Sequence, residues 1–280
     1  MGVTTVLGGE SGDGYPPELA VQVRAATEAA AAASREWLGR GDKNAADRAA
    51  VEAMRAVLIA APFDGTVVIG EGEKDDAPML ANGERLGIGG PALDIAVDPL
   101  DGTRLVAEGL PGSICVIALA PAGTMFVPRN VFYMDKLICA AEGRGVVDLS
   151  RSPTENARAL AAALGKSPRE LGVVVLDKPR HRELVAELRL AGVEPLLVGE
   201  GDVSAAVGAA SAGGAIDLVL GIGGSPEGIV AACAVRALGG FMQGRLAPQT
   251  PGESWNDTER ILELDDLVAS DRLLFVSTAV

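Results

Sequence analysis

Three times in this chain a short apolar strand runs straight into acids flanked by glycine or proline. Thr66-Val67-Val68-Ile69 leads into Gly70-Glu71-Gly72-Glu73. Leu93, Ile95 and Val97 lead into Asp98-Pro99-Leu100-Asp101-Gly102-Thr103, and Ile216 to Leu220 leads into Gly221-Ile222-Gly223-Gly224-Ser225-Pro226-Glu227-Gly228. A fold that gathers such strand ends brings their acids to one crevice. The second run is the most informative. Pro99 is expected to end its strand, Gly102 lets the backbone come close to a ligand, and Thr103 adds a hydroxyl. Oxygen ligands at such a turn suit Mg²⁺ or Mn²⁺. Free amides at the start of a following helix suit a phosphate. The competing explanation is an Asp-Pro/Asp-Gly turn whose acids only cap a helix, and the recurrence of the pattern weighs against it.

The rest of the chain predicts where these turns sit. Pro17 to Leu38 is alanine-rich and reads as a helix. Ala46 to Ala60 reads as a second one, with Val51, Met54, Val57 and Leu58 at helical spacing. Strand signals follow at 66–70, 93–98 and 113–119, then a loop over 121–131 with Pro121, Gly123 and Pro128. After about residue 150 the rhythm becomes regular. Strand Val173–Leu176, helix His181–Ala191, strand Pro195–Val198, helix Val203–Ala210, strand Ile216–Leu220 and helix Glu227–Leu238 follow one another. That alternation predicts an α/β layer with a largely parallel sheet. The expected fold class is therefore α/β with an α+β N-terminal half, divided into residues 1–150 and 151–280.

Composition narrows the function. Aromatic residues make up only 3% of the chain while glycine occurs 36 times, so the core must rest on small aliphatic side chains in close contact. A net charge of −14 argues against a nucleic-acid surface, which needs a basic footprint. It also means that a phosphate substrate requires bound divalent ions and a few placed cations to reverse the potential locally. No uncharged apolar run of about 18 residues occurs, and no basic segment precedes an apolar stretch at the N-terminus; a cytoplasmic location without membrane contact is expected. Cys115, Cys139 and Cys233 read as buried thiols rather than a disulfide frame or zinc site. The single histidine, His181, rules out His-rich zinc chemistry and argues against a Ser-His-Asp triad. The glycines of 221–224 are not followed by Gly-Lys-Ser/Thr, and Pro226-Glu227 sets an acid where a pyrophosphate would lie, so a nucleotide loop is set aside. Trp37, Trp255 and the methionines read as packing.

Seven stretches carry a resemblance: WLGRGDKNAAD, VVIGEGEKDDAPML, DIAVDPLDGTR, FYMDKLI, DKPRH, GDV and GIGGSPEG, in this order from Trp37 to Gly228. Together they are similar to the class II fructose-1,6-bisphosphatases, the bacterial branch of the lithium-sensitive sugar and inositol phosphatase superfamily. DPLDGT alone would indicate only the superfamily. The resemblance implies a layered sugar-phosphatase fold with a metal-binding, catalytic first half and a substrate-binding second half. It implies hydrolysis of the 1-phosphate of fructose 1,6-bisphosphate by direct water attack, with two Mg²⁺ or Mn²⁺ ions per site. It assigns Asp47 and Glu71 to one ion, and Asp98, Asp101 and Glu227 to the other. Thr103 orients the attacking water, the amides of Gly102 and Thr103 hold the scissile phosphate, and Asp75 and Lys43 are candidates for proton handling, or else a solvated pair of loop charges. The substrate-binding set comprises Asp101, Gly102, Thr103, Tyr133, Lys178, Pro179, Arg180, Glu200, Gly201, Asp202 and Gly224. Within it Lys178 and Arg180 suit the distal phosphate, since Arg can fork two phosphate oxygens, and the acids suit sugar hydroxyls.

The chain departs from the family pattern in four places. The family more often has Glu at Asp101 and usually has Asp at Glu200. It also usually continues well beyond the segment matching Leu274 to Ala279, and 246–266 is abbreviated here. The second half is therefore expected to lack the family's usual C-terminal end, leaving a sheet edge that subunit pairing would cover, so a homo-oligomer is expected. The alternatives are the same site acting on sedoheptulose 1,7-bisphosphate or another sugar or inositol phosphate, and a non-catalytic phosphosugar-binding relative.

Overall fold

The computed structural model describes residues 3–8, 15–70, 79–250, 252–255 and 257–280. Its elements, in chain order, are β1 (Thr4–Leu7), α1 (Pro17–Arg35), α2 (Lys43–Leu58), β2 (Asp64–Ile69), β3 (Arg85–Leu86), β4 (Ala92–Asp101), α3 (Thr103–Glu108), β5 (Ile114–Pro121), β6 (Tyr133–Cys139), α4 (Pro153–Ala163), β7 (Val173–Leu176), α5 (Arg182–Leu190), β8 (Leu196–Val198), α6 (Asp202–Ala210), β9 (Leu218–Gly224), α7 (Ser225–Ala237), β10 (Phe241–Leu246), β11 (Leu262–Glu263), α8 (Leu264–Leu267) and β12 (Leu274–Ala279). The chain is a mixed α/β protein of two compact units, one made of residues 1–127 with 269–280, the other of 128–268.

The first unit is built on a sheet of order β1-β12-β5-β4-β2-β3. Only β2 and β4 run parallel; the other pairs are antiparallel. Helices α1 and α2 lie on the sheet, and the core joins Leu19, Val23, Met54 and Leu58 to Ile95, Ile117, Leu274 and Val276. Ala26, Ala30 and Ala31 of α1 and Ala46 and Ala50 of α2 are buried in the same core, so the two helices meet through small side chains, as the scarcity of aromatics demands. Phe63, fully buried, and Tyr15 are the aromatic residues buried in this core.

The second unit has the order β11-β10-β6-β9-β7-β8. One core cluster packs Ala157, Leu160 and Ala161 of α4 and Leu188 of α5 against Leu137, Val173 and Leu218. Because side chains alternate along a strand, Met134 and Lys136 of β6 point the other way, toward α6 and α7. Helix α7 is buried along nearly its whole length by Ile229, Val230, Ala231, Ala232, Cys233, Ala234 and Val235.

Four expectations change here. The division falls at 127/128, not 150/151, and the final strand returns to the first unit, because β12 pairs with both β1 and β5. The chain's last strand is thus an interior strand, not an open edge. The second sheet is not largely parallel. Parallel pairing is confined to β8, β7 and β9, while β6, which carries the FYMDKLI stretch and has no strand assigned in the sequence reading, inserts antiparallel between β9 and β10. Pro99 does not end its strand: β4 continues to Asp101, with a register shift against β5 between Asp98 and Asp101 that absorbs the proline. The five helices read from the sequence are close to expectation, α1 and α2 each ending slightly early, while α3, α4 and α8 have no counterpart in that reading.

All three thiols are buried. Burial pushes Cys115 and Cys139 up to about 12, so neither forms a thiolate near neutral pH.

Candidate active site

In the first unit, backbone devices position the acids. The register shift at the end of β4 turns the chain so that Asp98 and Asp101 close the strand, and the Asp98 carboxylate accepts from the Leu100 amide at 3.1 Å. Asp101 is buried, only 6% exposed. Gly102 then takes the left-handed conformation, φ 85°, and starts α3. A side chain there would be strained, and its Cβ would press on Leu105 and on the Ser113 hydroxyl. That hydroxyl donates to the Gly102 carbonyl at 2.8 Å and fixes the turn. Thr103, half-buried, is the first helical residue.

The WLGRGDKNAAD stretch is fastened to this turn. The amides of Gly39 and Gly41 both donate at 2.9 Å, to the carbonyls of Val106 and Ala107 in α3. Both glycines are left-handed, with φ of 70° and 75°, and a side chain on Gly109 would meet Gly39. Asp42 caps α2 by accepting from the Ala45 amide at 2.9 Å. This sets Lys43, exposed, in the first turn and Asp47, half-buried, one turn later. Helix α2 packs on both α3 and β4. Asp47, Asp98, Asp101, Gly102 and Thr103 are thus carried by three elements in mutual contact or direct succession. Glu71 and Asp75 lie outside the described residues.

In the second unit, side chains tie the site together. Arg180 and His181 follow β7 in a short 3-10 turn, Pro179–His181. The Arg180 guanidinium stacks over the Tyr133 ring, 5.1 Å from its centroid, and donates through Nε and Nη2 to the Ile222 carbonyl at 2.9 and 2.7 Å. Tyr133 pairs with Gly224 across the β6–β9 ladder. Lys178 is half-buried beside them. Gly201, left-handed at φ 92°, starts α6, and Asp202 is its first residue. Glu200 precedes them.

The buried Lys136 ammonium, its side chain 3% exposed, donates to Asp202 Oδ2 at 2.5 Å and to the Gly224 carbonyl at 3.0 Å. A Cβ on Gly223 would strike both partners of this ion pair, and one on Gly224 would overlap the Glu227 carboxylate. The glycines of GIGGSPEG therefore make room for charged side chains rather than for a pyrophosphate. Glu227 sits in the first turn of α7, where an acid also suits the helix dipole.

Sequence reasoning missed two residues. Lys136 lies in the FYMDKLI stretch with no role assigned from the sequence; a lysine between Met134 and Ile138 at strand spacing is the available signal. His181 served only to exclude other chemistries, although it adjoins Arg180.

A metal must be judged from the donor set. Asp47, Asp98 and Asp101 of the first unit, and Glu227 of the second, each offer hard carboxylate oxygens, the donor type that Mg²⁺ and Mn²⁺ take. Among the described residues no group of three or more His, Cys, Asp or Glu side chains is close enough to hold an ion, and Glu71 is outside that set. No helix among the described residues is long and apolar enough to cross a membrane.

Comparisons with known proteins agree with the motif pattern. The family profile described as bacterial fructose-1,6-bisphosphatase, glpX-encoded, matches residues 17–280. The chain is 42% identical over 283 aligned positions to the fructose-1,6-bisphosphatase 1 class 2 of Escherichia coli (strain K12), covering 94% of this chain and 84% of the relative. The fructose-1,6-bisphosphatase class 2 of Shigella flexneri gives the same figures. Among solved structures, an inositol monophosphatase from Zymomonas mobilis superposes over 92% of this chain and 91% of its own, at 16% identity and a TM-score of 0.46, an overlap too loose to support an assignment. On the sequence match along almost its whole length, the chain belongs to the bacterial, glpX-encoded fructose-1,6-bisphosphatase family.

Proposed function

We propose that this protein hydrolyses the 1-phosphate of fructose 1,6-bisphosphate, giving fructose 6-phosphate and phosphate. One observation carries the reading: the family match spans residues 17 to 280, the range that holds every residue assigned to the site. The reaction is a phosphoric monoester hydrolysis by direct attack of water, without a phosphoenzyme.

Each residue has a role in that reaction. Asp47 and Glu71 would hold one divalent ion, and Asp98, Asp101 and Glu227 a second. When bound, such ions neutralise phosphate charge and make water acidic enough to attack. The Thr103 hydroxyl accepts a hydrogen bond from the attacking water and aligns it. The amides of Gly102 and Thr103 hold the scissile phosphate, a use that fits the left-handed turn at Gly102. Lys43 and Asp75 handle protons at the first pair of acids. Lys178 and Arg180 grip the distal phosphate, with Tyr133 and Pro179 beside it. Glu200, Gly201, Asp202 and Gly224 bind the sugar. The Lys136 tie supports this, because it holds Asp202 and the Gly224 carbonyl in one arrangement. A homo-oligomer remains part of the proposal, supported by Leu190, Leu196 and Leu197, exposed on and near the sheet-edge strand β8, and light scattering tests it.

The decisive experiment is phosphate release over a panel of sugar and inositol phosphates, with Mg²⁺, with Mn²⁺ and after chelation. The expected result is preferred turnover of fructose 1,6-bisphosphate that needs an added ion and stops with chelator. Full turnover in metal-free protein would remove the metal from the proposal. A preference for sedoheptulose 1,7-bisphosphate would move the substrate, and silence across the panel would leave a binding protein.

A further inference from the structure

The chain's only histidine makes two hydrogen bonds of opposite sense. His181 Nδ1 lies 2.7 Å from the Leu176 carbonyl oxygen, which can only accept, so Nδ1 carries the proton. The Ile222 amide donates to Nε2 at 2.8 Å, so Nε2 must be bare. Together the two bonds demand the neutral, Nδ1-protonated ring. An imidazolium would turn Nε2 into a donor facing a donor. Ile222 is the residue whose carbonyl Arg180 holds through Nε and Nη2. One strand residue is therefore gripped at its amide by His181 and at its carbonyl by Arg180, which fastens the Lys178–Arg180 turn to β9. The ring is buried, and Gly221 leaves the space that Nε2 occupies: a Cβ there would lie 2.9 Å from it.

We propose that His181 is a positioning residue that must be neutral for the distal-phosphate grip to form, so that protonating one imidazole releases the non-reacting phosphate. The inference rests on the reading of Lys178 and Arg180 as the distal-phosphate residues. The charges around the ring oppose its protonation more than they favour it. Arg180 flanks it on its own turn, and Lys178, Arg182 and Arg189 line the adjoining cavity with Asp177. Asp135 of β6 faces it with the opposite sign, but is itself bound by Arg245 of β10 at 2.9 Å. Burial, with Arg180 adding to it, holds the ring's pKa below the ordinary histidine value, while the Leu176 carbonyl and Asp135 pull the other way. If the phosphate binds only the neutral state, the apparent affinity falls by the neutral fraction, about tenfold per pH unit below the ring's pKa in the free protein.

The test pairs two measurements on the full-length protein. Nitrogen NMR of histidine-labelled protein gives one imidazole, free of assignment, and reads its tautomer at pH 7.5 without any variant. Calorimetry then measures fructose 6-phosphate affinity between pH 7.5 and 5 for the wild type and for His181→Gln, whose amide oxygen accepts but never titrates. The expected results are an Nδ1-protonated neutral ring and an affinity that falls more steeply with acid in the wild type than in His181→Gln over the pH range in which the same nitrogen resonances show the ring gaining its second proton. The phosphate's own titration is common to both proteins and cancels. An Nε2-protonated ring, or parallel pH profiles, overturns the inference. Parallel profiles in a protein that turns over fructose 1,6-bisphosphate overturn it alone. Diverging profiles in a protein without that turnover support it and overturn the functional reading instead. No fructose 6-phosphate binding at any pH overturns both.

Discussion

The two units hold their candidate site residues by different means. In the first, the acids of β4 and the residues of α2 are set by the backbone: a strand register shift, left-handed glycines at 39, 41 and 102, and amide-to-carbonyl bonds between the two stretches. In the second, the grip is set by side chains: Lys136 on Asp202 and Gly224, Arg180 and His181 on Ile222, Arg180 on Tyr133. A carboxylate that receives a divalent ion gains from a rigid strand end, because the ion tolerates little displacement. A sugar bisphosphate is larger and must be admitted and released, and charged side chains on paired partners can hold it without freezing the chain.

Substitutions can break this contrast. The largest effect is expected for Asp98→Asn, which keeps the size of a strand-end side chain but removes its charge. Turnover should fall by about a hundredfold or more, since even partners one step removed from a metal cost 10–100-fold when lost, while the melting temperature stays near the wild-type value. Normal turnover would show that the first unit's acids are only turn formers. Lys136→Met comes next. It leaves Asp202 charged beneath α6 without its ammonium, and removing one member of a buried pair costs about 3–5 kcal/mol. Denaturant unfolding measures the loss, and the double substitution with Asp202→Asn should restore part of it. Purely additive losses would mean that the two side chains are not coupled.

Arg180→Ala sharpens the contrast on the functional side. A charge-assisted hydrogen bond contributes about 1.5–3 kcal/mol, so KM for the bisphosphate should rise by roughly ten- to a hundredfold. A monophosphate without the distal group should be affected far less. Equal losses on both would move Arg180 to the reacting phosphate or to the fold. The smallest effect is expected for Ser113→Ala, which removes a side-chain bond to the Gly102 turn and should cost about 1 kcal/mol. A loss as large as that of Lys136→Met would show that the first unit, too, depends on side-chain ties.

The contrast also explains how legible each part was. Glycine and proline carry their conformational demands within a few residues, so DPLDGT, WLGRGD and GIGGSPEG could be read as turns bearing acids, and most helices followed from their periodicity. Pro99 misled because a proline stops a regular ladder but passes through a shifted one. The parallel sheet was overestimated because alternating strands and helices say nothing about a strand inserted from earlier in the chain, which is what β6 does. The division at 150 failed for a related reason: β12 is distant in sequence and adjacent in space.

Legible in the residues alone are acids at glycine- and proline-bearing turns, a single histidine, a net charge of −14 and a motif order specific to one family. Tertiary structure alone decided which polar side chains hold the site in shape. Lys136 and Asp202 stand 66 residues apart, and His181 and Ile222 stand 41 apart. Hydrogen bonds of that range leave no periodic trace, because they depend on which strands become neighbours and on which face of the sheet each side chain emerges. Local conformational rules therefore reveal where acids can gather, and only the assembled sheets reveal the lysine and the histidine that keep their partners in place.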